Sequence, residues 1–175
     1  MNGGDERGRV LESLRDVLRG GVGSVCWAVR GPSLATASEP ASSTLLLAVG
    51  ERIPRDEPYT EPGVPWALRT HFPSLAINTG GTAWRIVRAG RSVASWRYEA
   101  HDEGSVLEGV ALLEGRRIES FRVFGPLHDL ELRFEGDVAL RLFGHRGRHE
   151  RLDWFVRAGD LRIDVGPHGA LRARR

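Results

Sequence analysis

The stretch 106–121 reads Val106-Leu107-Glu108-Gly109-Val110-Ala111-Leu112-Leu113-Glu114-Gly115-Arg116-Arg117-Ile118-Glu119-Ser120-Phe121, and it restates in diverged form what stands at 10–25. Val10-Leu11-Glu12 recurs as Val106-Leu107-Glu108, Leu14 as Val110, and Val17-Leu18-Arg19-Gly20 as Leu112-Leu113-Glu114-Gly115 with one residue dropped between. Val22, Ser24 and Val25 match Ile118, Ser120 and Phe121, and Gly31-Pro32 matches Gly125-Pro126. The apolar run ending in Val49-Gly50 then corresponds to 130–136, Trp66-Ala67-Leu68-Arg69 to Trp154-Phe155-Val156-Arg157, and Leu75-Ala76-Ile77-Asn78 to Leu161-Arg162-Ile163-Asp164. Short matches kept in one collinear order point to an internal duplication: repeat one over 10–98, a connection at 99–105 and repeat two over 106–171. A second alignment sets 84–90 against 154–159, because both read as Trp, apolar residues and Arg-Ala-Gly. It accounts for one hairpin and breaks the order upstream, so it ranks behind the first.

Within the first copy, Val10, Leu11, Leu14, Val17 and Leu18 fall at the spacing that lines one helix face. Asp5 and Glu6 favour the helix start through the backbone dipole, and Gly20-Gly21 supplies the stop. Strands are predicted at 22–30 and 44–49, then at 66–70, 75–79, 84–88 and 92–98, with Ala89-Gly90 as a hairpin turn. The segment 53–65 holds four prolines, which remove backbone donors, and is expected to be a surface loop. In the second copy Gly109 weakens a helix interior by about 1 kcal/mol relative to alanine, so 106–114 is open between helix and strand. Leu130, Leu132 and Phe134 alternate with Glu131, Arg133 and Glu135, as do Val138, Leu140 and Leu142 with Ala139 and Arg141, which means one buried and one wet face. Glu135-Gly136-Asp137 is the turn between them. A unit of this kind leaves an apolar face that a second copy would cover, so the expected fold is α+β and strand-rich: two helix-plus-antiparallel-strand repeats packed as one pseudo-two-fold domain over 1–175.

The 175 residues are 41% apolar and 27% charged, the balance of a folding chain rather than a disordered one. All 25 cations are Arg, with no Lys, against 23 acids, and the net charge is +2. Residues 1–100 carry 12 Arg and 10 acids, and 101–175 carry 13 of each, so neither half is a basic block of the kind nucleic-acid binding would require. From Arg141 onward there are nine Arg against four acids, and the closing Leu171-Arg172-Ala173-Arg174-Arg175 reads as a solvated tail, with weak contact to an anionic partner as the alternative. Cys26 has no partner for an internal disulfide and stands between Val25 and Trp27, a core setting. With a polar N-terminus and no apolar run of membrane length, a cytoplasmic location is expected.

The motifs that would carry catalysis are weak. His145 and His149 stand four apart, but Arg146 and Arg148 beside them repel a cation, and Gly144 and Gly147 argue for a loop, so no metal is expected. His101-Asp102-Glu103 and His128-Asp129 place imidazoles beside carboxylates, although sequence neighbours point apart. The glycines at 20–23 follow a helix and precede a strand, the reverse of a phosphate cradle. No Gly-x-Ser-x-Gly occurs, and no catalytic residue or cofactor is assigned. Among the Trp residues, Trp66 and Trp154 hold matching repeat positions expected in the core, whereas Trp84 and Trp96 bracket a hairpin, with core packing as the first reading and an outward face as the alternative. Exposed Trp beside Arg is typical of protein-binding surfaces, which makes Trp84, Arg88, Trp96, Arg97, Arg146 and Arg148 the candidate partner-binding residues.

The pattern Leu113-x-Gly115-x-x-Ile118, Leu130-x-Leu132-x-Phe134, Leu140, Trp154 and Leu161-x-Ile163 resembles a family of small, little-characterised domains common in actinobacteria, some of them beside polymorphic-toxin genes in the position of immunity proteins. The resemblance covers 106–171, and the first half follows it only as a degraded copy. Its matching elements are structural, so it transfers no functional residue, and the proline-rich 53–65 departs from it. It implies a non-enzymatic module that binds another protein, as an immunity-type antagonist or an accessory subunit. The alternative is a small-molecule binder or enzyme with a pocket at the seam between the repeats, gathering His101, His128 or His145.

Overall fold

Alternation of apolar and polar side chains along most strands builds two antiparallel sheets whose inner faces share one core. The computed structural model describes residues 3–31, 44–60, 64–80, 82–96, 103–144 and 154–175. The first half contributes α1 (Gly3–Gly21), β1 (Cys26–Arg30), β2 (Leu46–Pro54), α2 (Trp66–Thr70), β3 (His71–Asn78), β4 (Ala83–Arg88) and β5 (Arg91–Trp96). The second contributes α3 (Glu103–Ala111), β6 (Ile118–Phe124), β7 (Asp129–Phe134), β8 (Val138–Phe143), β9 (Trp154–Ala158), β10 (Leu161–Gly166) and β11 (Ala170–Arg174), with a 3-10 turn at Pro167–Gly169 before the last strand. One sheet runs β1-β2-β3-β9-β10-β11 and the other β5-β4-β8-β7-β6. Each sheet therefore combines strands from both ends of the chain.

The interior is filled from four directions. Trp84, Ile86, Leu132, Phe134 and Leu140 come from the five-stranded sheet, Leu47, Val49, Ile77, Trp154, Val156 and Ile163 from the six-stranded one. Leu14 and Leu18 project from α1, which packs on β6, β9 and β11, and Val110 projects from α3, which packs on β5. The two sheets are also stitched where β1 and β6 begin: Ile118 N donates to Ser24 O (2.9 Å), Cys26 N to Arg116 O (2.8 Å) and Gly115 N to Cys26 O (2.7 Å). Val25 and Arg117 form the bridge pair at the centre of this ladder.

Several expectations are met at the level of elements. The first helix ends at the glycine pair, Ala89 and Gly90 both take positive φ (49° and 75°) in the tight turn between β4 and β5, and Gly136 and Asp137 turn the chain between β7 and β8. The open question at 106–114 resolves as helix α3. Gly109 is there because α3 lies directly on β5: a Cβ at this position would run into the Ala94 methyl and stand 3.2 Å from Val93 O. Close approach to the sheet outweighs the helix penalty.

Three expectations are corrected. Residues 66–70, read as a strand, form helix α2 instead, entered directly from Pro65, and Trp66 is 67% exposed rather than in the core. The expected proline-rich loop begins two residues late, because β2 continues through Ile53 and Pro54, which pair with Phe72 and His71 at the end of the sheet. Residues 171–175, read as a solvated tail, instead supply most of β11, the sixth strand of the large sheet, in register with β10 from Arg162–Arg174 to Gly166–Ala170.

Candidate functional site

The outer face of the six-stranded sheet is defined by what the inner face leaves. Since Leu47, Val49, Ile77, Val156, Ile163 and Val165 point into the core, their neighbours in sequence point out. The pairing register then sets two rows across the sheet. One runs Ala28, Ala48, Ala76, Arg157, Arg162, Arg174, and the next runs Arg30, Leu46, Asn78, Phe155, Asp164, Arg172. The β1–β3 half of this face is apolar and the β9–β11 half is lined with arginine.

A roof covers the apolar half. Val64 and Leu68, the latter on α2, pack with Trp27, Ala28 and Ala48 in a small second core, with Leu46 and Ala67 at its margin. This is why Trp27 and Ala28 are both buried: an irregularity in β1 between Cys26 and Ala28 lets the two join one cluster. The roof is tied down by backbone: Tyr59 N donates to Arg69 O (2.8 Å) and Arg55 N to Thr70 O (2.9 Å). Where the roof ends and the arginine half begins, a cavity of about 430 Å³ opens, lined by residues that include Arg30, Leu46, Arg55, Tyr59, Leu68, Phe72, Asn78, Phe155, Arg157 and Asp160.

Electrostatics at this face is organised around a buried acid. Asp164 is 1% exposed, and its two oxygens meet Arg162 Nε (2.6 Å) and Arg174 Nε (2.9 Å). Arg162 also lies 3.7 Å above the Phe155 ring centre, and Arg55 lies 3.5 Å above that of Phe72. Arg55 further donates from Nε to Leu68 O (3.1 Å), and Arg157 from Nε to Gly159 O (3.1 Å). Burial, reinforced by the charge of Arg157, lowers the Arg55 pKa, and the electrostatic influence of Tyr59 opposes this. The five-stranded sheet carries a smaller cluster of the same type. Burial raises the Glu131 pKa, but hydrogen bonds from Arg141 (2.7 Å) and Arg133 (2.9 Å) outweigh it, and the net shift is downward.

The six sequence candidates do not assemble into a patch in the described residues. Trp84 is fully buried and sits opposite Trp96 in the β4–β5 ladder, where Trp96 packs against the same core. The tryptophans point in, which is the core reading of the alternation, and Arg85 points out. Arg88 is exposed at the end of β4, beside the turn. Arg97, Arg146 and Arg148 lie outside the described residues, as do His101, His145 and His149. Cys26, by contrast, is buried as expected, and burial followed by the nearby Glu114 charge pushes its thiol up to about 12. A thiol reagent added to the folded protein at neutral pH should therefore label Cys26 only at the rate of unfolding; rapid stoichiometric labelling without denaturant would refute this placement.

His128 is held rather than poised. It takes φ 58° in the turn between β6 and β7, is 7% exposed, and its Nε2 lies 3.3 Å from Arg7 Nη2, which also donates to Gly169 O (3.2 Å). With Arg7 donating, the ring is neutral and carries its proton on Nδ1. Burial, then the charges of Arg7 and Arg15, lower its pKa, against a raising effect of Asp129. A ring kept neutral in the fold and free to protonate when unfolded makes stability complete above about pH 6.5 and progressively lost as pH falls from there through the folded value. Urea midpoints should fall between about pH 7.5 and 5.5 in the wild type and less steeply in His128→Asn, since asparagine tolerates the left-handed backbone. Equal slopes would sink the assignment.

Among the described residues no three His, Cys, Asp or Glu side chains gather as a metal site, and no helix is long and apolar enough to cross a membrane. The outward arginines of β9–β11 were missed by sequence reading. Alternation in 161–164 and in 171–174 was the signal available for them. Comparison with family models, with curated proteins and with solved structures gives no match for this chain.

Proposed function

We propose that the chain is a non-enzymatic binding module that docks an acidic surface of a protein partner on the β9–β11 half of the six-stranded sheet, working in the cytoplasm as an immunity-type antagonist or an accessory subunit. The observation that carries this reading is the row Arg157–Arg162–Arg174 with Arg172 in the row beside it, while Asp164, the acid among them, is already engaged from two sides. Ordered guanidinium groups on a rigid sheet lose little freedom on binding and favour carboxylates with paired donors. A protein partner is favoured over nucleic acid because Phe155, the ring standing on the arginine half, is covered by Arg162 and makes a poor platform for stacked bases.

The duplication belongs to the same proposal. Strand order supports it: β1-β2-β3 is extended by β9-β10, and β6-β7-β8 is extended in the same sense by the β4–β5 hairpin. The ladder between the starts of β1 and β6 is where a two-fold axis would pass. Under this reading the hairpin at 84–90 corresponds to 154–159, the alignment ranked second from sequence, and Trp84 is the counterpart of Trp154.

The test is fluorescence anisotropy of a labelled glutamate-rich peptide with the full chain. Binding should weaken by about tenfold in Arg172→Glu and fall steeply as salt rises from about 0.05 to about 0.3 M. An unchanged affinity in the variant, or tighter binding of a single-stranded oligonucleotide of equal charge, would overturn the proposal.

A further inference from the structure

We infer that the cavity between the α2 roof and the sheet is a binding site for a small organic monocarboxylate carrying an aromatic or branched aliphatic body. This inference goes beyond partner docking and does not depend on it. At about 430 Å³ the cavity is within the roughly 300–1,000 Å³ of small-molecule sites, large enough for an aryl acid. Leu46 and Phe155 give it an apolar floor, and Leu68 and Phe72 apolar walls, so a bare inorganic anion would leave most of the surface unused.

The charged end is equally specific. Arg55 is fixed by its bond to Leu68 O and by the Phe72 ring beneath it, and Arg157 by its bond to Gly159 O. Neither meets a carboxylate among the described residues, yet both line the same cavity, where Asp160 is the one acid among the described residues. Burial lowers the Arg55 pKa, Tyr59 opposes this, and a smaller repulsion from Arg157 adds to the lowering. A carboxylate placed there relieves that repulsion and takes donors already oriented, the arrangement in which charge-assisted bonds are strongest. Tyr59 and Asn78 add polar groups at the rim and floor. A cation is disfavoured by the same residues, and one negative charge suits a site that also carries Asp160.

Calorimetry of the full chain with 3-phenylpropionate, its carboxamide, acetate and inorganic phosphate decides the matter. The expected result is one site with Kd of about 1 mM or tighter for 3-phenylpropionate, and affinity at least about tenfold lower for each of the other three. Arg55→Met and Arg157→Met should each weaken the acid by about tenfold, the second variant serving where the first disturbs the roof. Arg122→Glu, exposed on β6 of the other sheet, should leave it unchanged. Equal binding of acid and amide, acetate or phosphate as tight as the aryl acid, or wild-type affinity in both Met variants would overturn the site. A peptide ending in a free phenylalanine presents the same chemistry from another source: its binding more tightly than 3-phenylpropionate by about tenfold assigns the site to a chain terminus and overturns the small-molecule source, and equal binding supports the free acid. Because the glutamate-peptide assay reads Arg172 and this one reads Arg55, either reading can fail while the other stands.

Discussion

Gly109→Val is expected to destabilise the protein by about 3 kcal/mol, even though every other position in a helix interior prefers a side chain to glycine. The reason lies at the α3–β5 contact: a Cβ on residue 109 would overlap the Ala94 methyl and crowd Val93 O at 3.2 Å and Ala94 Cα at 3.4 Å. Ala94 is itself fully buried in β5, so the sheet has nowhere to retreat. Even Gly109→Ala should lower the urea midpoint. Gly8 provides the opposite case in α1, where an added Cβ meets nothing within 4 Å, and Gly8→Ala should raise stability by about 1 kcal/mol from helix propensity alone. If both alanine variants shift the midpoint upward, the close packing of α3 on β5 is wrong.

The second large effect is expected at Asp164. Replacing Arg162 and Arg174 together by methionine leaves a carboxylate that is 1% exposed without the two guanidinium groups that now meet its oxygens, at a cost of about 3 kcal/mol. Adding Asp164→Leu to the double variant should recover most of the loss, because the cost is that of an unpaired buried charge and not of missing arginine. Methionine keeps the apolar stem that covers Phe155, which separates the ionic effect from packing. Urea unfolding of the wild type, the double and the triple variant gives the comparison. A triple variant no more stable than the double would mean that the arginines act by packing alone.

How much of this was legible in the residues depends on the scale of the feature. Helix α1 was readable because five apolar residues keep helical spacing between an acidic start and a glycine stop, and the hairpin turns were readable because they need residues that accept positive φ. Helix α2 was not readable. A five-residue apolar run after a proline has no period of its own, and only the packing of Leu68 on Trp27 and Ala48 selects the helix. Alternation along β4 announced two unlike faces without saying which one the other sheet would cover, so an outward Trp84 stayed open beside a buried one until the sheets were placed. The outer face was the least accessible feature. Arg30 and Arg157 come from opposite ends of the chain and line one cavity only through the pairing of β3 with β9, a register that a one-residue slip would invert.

That pairing also bears on how the chain acquires its shape. With β3 waiting for β9, and β4 for β8, most of the hydrophobic interior stays open to water until the last third of the described residues has joined. Non-local ladders of this kind impose a large loop-closure cost before they repay it, so folding is expected to be slow and to end in one concerted step. A nascent or truncated chain would expose Leu47, Val49 and Ile77 on an uncovered sheet face with β3 as its bare edge, a surface prone to self-association.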